Sequence, residues 1–137
     1  MKYQIDFDRW NERKKEIEFT QSHKQPFFHE REVWWCAIGL NIGIETDGKN
    51  TFFERPILII RKFNNYMFWG VPLTSKIKTG PFFYKVTHSR GNSYVILSQL
   101  KTFSSKRLLR KLGMITVTDF SVIQCKLQGL ITIEPLQ

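Results

Sequence analysis

The chain has 137 residues and a formal net charge of +9, enough for one domain with a buried core and too short for two of ordinary size. It contains no run of about 18 apolar residues and opens without the apolar stretch of a secretory leader, which argues against a membrane-spanning helix and predicts a soluble, cytoplasmic protein. Cys36 and Cys125 are far apart with no CxxC, and His23, His29 and His88 lack ligand spacing, so two free buried thiols, no metal and no cofactor are expected.

Residues 6–19, "DFDRWNERKKEIEF", read as a short amphipathic helix, with Phe7, Trp10, Lys14 and Ile17 on one stripe and Asp6 or Asp8 as N-cap. A helix of this length is marginal alone and must dock on something. Residues 20–31 are mostly polar, contain Pro26 and read as a connector, so the predicted organisation is an arm and connector at 1–31 and a folded domain at 32–137.

From Glu32 the pattern changes. "EVWWCAIGL" is an apolar run suited to a strand covered on both faces, and a long polar loop, "NIGIETDGKNTFFE", follows. "ERPILIIRKFNNYMFWGVPLTSK" then has the outline of a hairpin turning at Asn64-Asn65. In a two-residue loop Phe63 faces Tyr66, and the register carried outward sets Arg55 opposite Thr74. A bulge at Pro56 or Pro72 would shift that pairing by one. "PFFYKV" and "SYVILSQLK" form a second hairpin across "THSRGN", and "SSKRLLRKLGMI" begins with a helical turn and ends as a strand. Thr116 and Asp119 make a capping pattern ahead of Val117, Phe120, Ile123, Leu127 and Leu130 at helical spacing. The aromatic pairs and short runs favour strands over a helical bundle. The predicted class is mainly β with helices: five or six antiparallel strands curled into a small barrel, closed by a C-terminal helix and preceded by a helical arm.

Charge is unevenly spread. Residues 1–32 hold seven basic and seven acidic side chains, whereas between Glu54 and Asp119 there are twelve basic residues and no acidic one. Such a stretch predicts a strongly positive surface suited to a polyanion, either nucleic acid or an acidic protein segment.

"ERPILII", "VPLTSKIKTGPF", "SYVILSQLKT" and "KRLLRKLGMIT", in this order over about residues 32–128, resemble the MazF/PemK family of toxin-antitoxin endoribonucleases. The resemblance implies an SH3-like barrel with a C-terminal helix, as in CcdB-type toxins. It also implies a metal-independent homodimeric ribonuclease that cuts single-stranded RNA and is inhibited by a cognate antitoxin with an acidic segment. DNA would then be met only through the antitoxin, and no membrane would be involved. The family's essential arginine and threonine fall on Arg55 and Thr74, and its strand glutamine falls on Gln99. Where many members read G-S-E-Q-x-G, this chain reads Gly43-Ile44-Glu45-Thr46-Asp47-Gly48 and runs on for several residues; Ile44 lacks the serine's hydroxyl. Residues 1–30 lie outside the resemblance. An alternative of another class is a non-catalytic CcdB-like toxin that binds a protein target such as gyrase.

Cleaving RNA without metal requires a base for the 2′-hydroxyl, a donor to the leaving 5′-oxygen and positive charge beside the phosphorane. Arg55 suits the last two roles, and Thr74 can orient the phosphate. Gln99 and Glu45 are further candidates for catalysis or phosphate orientation, and Asp47 and His88 are candidate bases by residue type. Lys76, Lys78, Lys85 and Arg90 are expected to set phosphate affinity, and Phe52 and Phe53 to offer stacking surfaces in the loop. Trp34, Trp35, Phe68 and Trp69 are read as core or dimer contacts. Taken singly, an arginine at a strand start is most often a solvated residue and a threonine an ordinary strand former; four family blocks in register raise Arg55 and Thr74 above that reading.

Overall fold

The computed structural model describes residues 1–20 and 26–133; residues 21–25 of the predicted connector, His23 among them, and residues 134–137 lie outside it. Helix α1 (Gln4–Phe19) precedes seven strands: β1 (Glu32–Ala37), β2 (Glu54–Lys62), β3 (Met67–Thr74), β4 (Phe83–His88), β5 (Gly91–Ile96), β6 (Lys101–Ser104) and β7 (Leu108–Met114). Helix α2 (Val117–Ile131) follows. All strand pairs are antiparallel, in the order β4-β5-β3-β2-β1-β7, with β6 also on β3. The result is a curved half-barrel with one strand more than the upper expectation.

The extra strand comes from "SYVILSQLK", which does not run straight. A single 3-10 turn at Leu97–Gln99 breaks it into β5 and β6, because β3 needs two partners on the same side. Met67 to Gly70 pair with β6, whereas Leu73 and Thr74 pair with Val95 and Tyr94 of β5. The outer strands β4 and β7 meet where the Ser89 hydroxyl donates to the Leu112 carbonyl at 3.1 Å, drawing the two ends of the sheet together.

The middle of β2, residues 56–60, is apolar because the sheet is covered on both faces there. Leu58 and Ile60 join Val33, Val71, Leu73 and Val95 under Phe120, Ile123 and Leu127 of α2. Ile57 and Ile59 point the other way, onto Phe28, Cys36, Phe68, Phe103 and Leu108. Phe28, from a segment read as a polar connector, is fully buried there. The Thr116 hydroxyl accepts from the Asp119 N–H at 3.1 Å and starts α2 as predicted; the Asp119 carboxylate also accepts from the Tyr84 hydroxyl at 2.8 Å. Cys36 is buried, but Cys125 is exposed, contrary to expectation, because it lies on the outer face of α2.

The arm docks on its own barrel. Of the predicted stripe, Trp10 alone is buried; Ile17 is half-buried, and Phe7 and Lys14 are exposed. The Trp10 indole lies against Gly39 and the ring of Phe53, with centroids 5.6 Å apart. Gly39 has φ +78°, a left-handed conformation that costs other residues about 1–2 kcal/mol, and a Cβ there would fall inside the indole. Gly39→Ala is therefore expected to displace α1, red-shifting tryptophan emission and lowering unfolding free energy by about 2 kcal/mol in urea titrations.

Candidate active site

The β2–β3 hairpin turns through three residues rather than two. The Phe63 N–H donates to the Met67 carbonyl at 3.1 Å, Lys62 pairs with Phe68, and Arg61 with Trp69. A bulge at Ile60 then takes up the extra residue, so Ile59 pairs with Gly70 and Ile57 with Pro72. Both prolines remain in the ladder, Pro56 beside Trp35 and Pro72 beside Ile57. Continued two residues outward, this register sets Arg55 against Thr74.

Arg55 is held at the start of β2 by two carbonyls. Its Nε donates to Asp47 O at 2.6 Å and Nη1 to Leu73 O at 3.2 Å. The first tie runs to the β1–β2 loop and the second to the end of β3, so the guanidinium spans the gap between them. Burial lowers its pKa from the ordinary arginine value, and Asp47 opposes that shift. An arginine guanidinium keeps its charge in proteins, and Arg55 is read as a cation here.

Arg55 and Thr74 line one open cleft of about 280 Å³, together with Lys49, Ser75, His88, Arg90 and Ser93. The Thr74 hydroxyl accepts from the Lys76 N–H at 3.2 Å, and its own proton has no acceptor among the described residues. Lys49 has a lowered pKa, first from burial and then from Arg55 and Lys76, which places three cations within electrostatic reach of one another. His88 Nδ1 accepts from the Arg90 N–H at 3.2 Å, and Nε2 lies 2.8 Å from the Ser93 hydroxyl. Burial lowers the His88 pKa from the ordinary histidine value, favouring the neutral ring.

Gln99 and Glu45 stand elsewhere. Both line a neighbouring hollow of about 180 Å³ with Thr46, Pro72 and Lys101. Gln99 accepts from the Thr46 N–H at 3.1 Å and donates to the Ile44 carbonyl at 3.2 Å, so it anchors the β1–β2 loop instead of facing the cleft. Glu45 is folded back on its own loop, accepting from the Ile42 N–H at 3.0 Å. The Asp47 carboxylate is likewise turned from the cleft, taken up by the Asn41 N–H at 2.6 Å and the Lys2 ammonium at 2.8 Å.

Of the two loop aromatics, Phe52 is 57% exposed, but Phe53 is only 9% exposed and cannot stack on a base. The reason is its partner, Trp10, which the loop sequence does not reveal. Arg90 lines the cleft, whereas Lys76, whose charge bears on Lys49, is exposed, as are Lys78 and Lys85. Phe68 is core, Trp34 and Trp35 are half-buried, and Trp69 is 41% exposed with Phe63 edge-on at 5.1 Å. Lys49 was missed in the sequence, although the run "DGKN" in the extended loop already put a cation close before Arg55. Among the described residues no three His, Cys, Asp or Glu side chains gather to hold a metal ion.

A curved antiparallel half-barrel with a basic cleft built on a hairpin arginine defines a toxin-type barrel. Residues 29–131 match the family of PemK-like, MazF-like toxins of type II toxin-antitoxin systems, and the chain belongs to that family. Its fold is similar to that of an endoribonuclease in complex with its cognate antitoxin from a mycobacterial species, at 20% identity and TM-score 0.59, over 77% of this chain and 97% of that one. MazF from Deinococcus radiodurans superposes with TM-score 0.61 at 17% identity, over 76% and 96%. The Mycobacterium tuberculosis toxin MazF-mt6 does so with TM-score 0.58 at 13% identity, over 76% and 99%. A search of curated protein sequences gave no match.

One residue before Arg55, the buried Glu54 carboxylate fixes the start of the strand. It accepts from Arg110 Nη1 at 3.1 Å and Nη2 at 2.9 Å, and from Asn50 at 3.1 Å. The Arg110 bonds, reinforced by Asn50, hold its pKa below the usual carboxylate range against the opposing effect of burial. A depressed carboxylate pKa stabilises the fold above the unfolded value near 4.5, and that contribution is lost as pH falls through the folded value. Arg110→Met is expected to raise the folded pKa of Glu54 and so move the acid-unfolding midpoint to higher pH, measured by circular dichroism.

Proposed function

We propose that this family member is a toxin that cleaves single-stranded RNA in the cytoplasm without a metal, leaving a 2′,3′-cyclic phosphate and a 5′-hydroxyl. The observation that carries this reading is the placement of Arg55 and Thr74 in one open cleft with Lys49, Arg90 and His88. Attack by the 2′-oxygen on phosphorus forms the new P–O bond as the bond to the 5′-oxygen breaks. The 2′-hydroxyl proton leaves to a base, and the departing 5′-oxygen takes a proton from a donor. The Arg55 guanidinium supplies planar N–H donors and fixed positive charge for the phosphorane oxygens and the leaving oxygen. Thr74, with an uncommitted hydroxyl proton, bonds a non-bridging oxygen. Lys76, Lys78, Lys85 and Arg90 draw the backbone in, and Phe52 supports a base.

For the proton acceptor, His88 is the one of the three candidates that lines the cleft, shared there with the charged groups Lys49, Glu54, Arg55 and Arg90. In this role the ring takes the tautomer protonated at Nδ1, giving up the bond from the Arg90 N–H, and Nε2 exchanges the Ser93 hydroxyl for the 2′-hydroxyl. The working protein is a homodimer, and its cognate antitoxin covers the same basic cleft with an acidic segment; a membrane is not involved, and DNA is reached only through the antitoxin. The gyrase-binding alternative has no use for a phosphate-sized cluster of cations around a hydroxyl.

Arg55→Ala and Thr74→Ala are each expected to lower cleavage of an RNA substrate in EDTA by about 10²- to 10³-fold while leaving the melting temperature near that of the parent. Primer extension and end-labelling read both the cut and its 5′-hydroxyl; full cleavage by both variants would remove these residues from the mechanism. The His88 assignment predicts a rate that is flat near neutrality and falls on acidification below about 6.5, as the ring gains its proton. In His88→Asn that acid limb should be absent and the plateau lower.

A further inference from the structure

Two segments meet beside the cleft: the arm ahead of residue 29, outside the span of the family match, and the β1–β2 loop within it. They are packed on each other. Trp10 lies against Gly39 and Phe53, at the two ends of the loop, and the Phe53 carbonyl accepts from the N–H groups of Ile38 at 3.0 Å and Gly39 at 3.1 Å. The Lys2 ammonium reaches two more points, donating to Asn41 O at 2.7 Å and pairing with Asp47 Oδ2 at 2.8 Å. Asp47 Oδ1 accepts from the Asn41 N–H at 2.6 Å, so ammonium, carboxylate and backbone form one closed cluster. The Asn41 side chain adds a bond to Thr46 O at 2.7 Å.

The consequence lies on the other side of the same residue. The Asp47 carbonyl is the acceptor for Arg55 Nε at 2.6 Å, the shorter of the two bonds that aim the guanidinium. Gln99 steadies the adjoining Ile44–Thr46 stretch, the backbone on either side of residue 47 is held by Asn41 Nδ2 to Thr46 O and by the Gly48 N–H to Gly39 O, both at 2.7 Å, and the carboxylate adds the tie to Lys2 and Asn41. We infer that the N-terminal arm is a positioning element for Arg55: through Lys2 it locks Asp47, and through Asp47 it aims the guanidinium into the cleft. The catalytic part of this inference rests on the ribonuclease reading above; the geometric part does not.

Lys2 and Asp47 side chains are 30% and 23% exposed, and an ordinary surface ion pair of that kind would contribute little and touch nothing else. What distinguishes this one is its two acceptors on a single loop and the backbone oxygen that the loop delivers to Arg55. A loss of aim by a fraction of an ångström at such a group lowers the chemical step without weakening RNA capture.

The test uses the full chain with any affinity tag at the C-terminus, comparing the parent, Lys2→Met and Lys2→Arg. The Arg55 Nε–H resonance, identified in a 15N spectrum by its loss in Arg55→Lys, reports the bond to Asp47 directly through its exchange with water. Lys2→Met is expected to speed that exchange about tenfold and Lys2→Arg to restore it. In single-turnover RNA cleavage Lys2→Met should lower the rate constant about tenfold or more, with half-saturating RNA concentration and melting temperature close to the parent's. Unchanged Nε–H exchange in Lys2→Met would overturn the inference whatever the protein does to RNA. Faster exchange with an unchanged cleavage rate would overturn its catalytic half. A parent protein that does not cut RNA would sink the ribonuclease reading instead, while the exchange measurement still decides the geometry.

Discussion

The bond from Arg55 Nε to the Asp47 carbonyl is the constraint on which the cleft depends. It joins a loop to the first turn-free residues of a central strand, and without it the loop and the end of β3 would share no common partner. Once it is made, the guanidinium cannot fold back on the Glu54 carboxylate, which Arg110 and Asn50 already occupy. A cation next to a buried carboxylate would ordinarily collapse onto it. Here the carboxylate is satisfied from the opposite side, and the guanidinium keeps free N–H donors for an outside anion.

That arrangement has an electrostatic cost which the fold sustains by its geometry. Arg55 and Lys76 repel Lys49, and partial burial removes some of the solvent that would screen the charges. In the proposed reaction a dianionic transition state would relieve this repulsion more than a monoanionic diester does, so the same crowding would favour the chemical step over mere binding. The positive charge also concentrates RNA near the surface before any specific contact is made.

Much of the architecture was legible because it is written in local patterns. The Thr116 cap and the helical spacing from Val117 place α2, and Gly91, at φ +116°, marks the β4–β5 turn. The register of β2 against the far half of β3, with Ile57 opposite Pro72, was legible for a less secure reason. The hairpin loop is one residue longer than its Asn-Asn dipeptide indicates, and the bulge at Ile60 compensates, so two local errors cancel over the ladder. What could not be read are contacts between segments distant in the chain. Phe53 looks like a loop aromatic until Trp10 covers it, Gln99 looks like a strand residue until the loop lands on it, and the break at Leu97 follows from the needs of β3.

The walls of the cleft are drawn from nearly the whole barrel, beginning at Trp35 in β1 and ending at Leu112 in β7. A chain cut short before Leu112 lacks part of the wall, and Thr74 gains its ladder partner Tyr94 only once the twenty residues beyond it have been made. The cleft is therefore a late product of synthesis, closed only when the last strand finds the first.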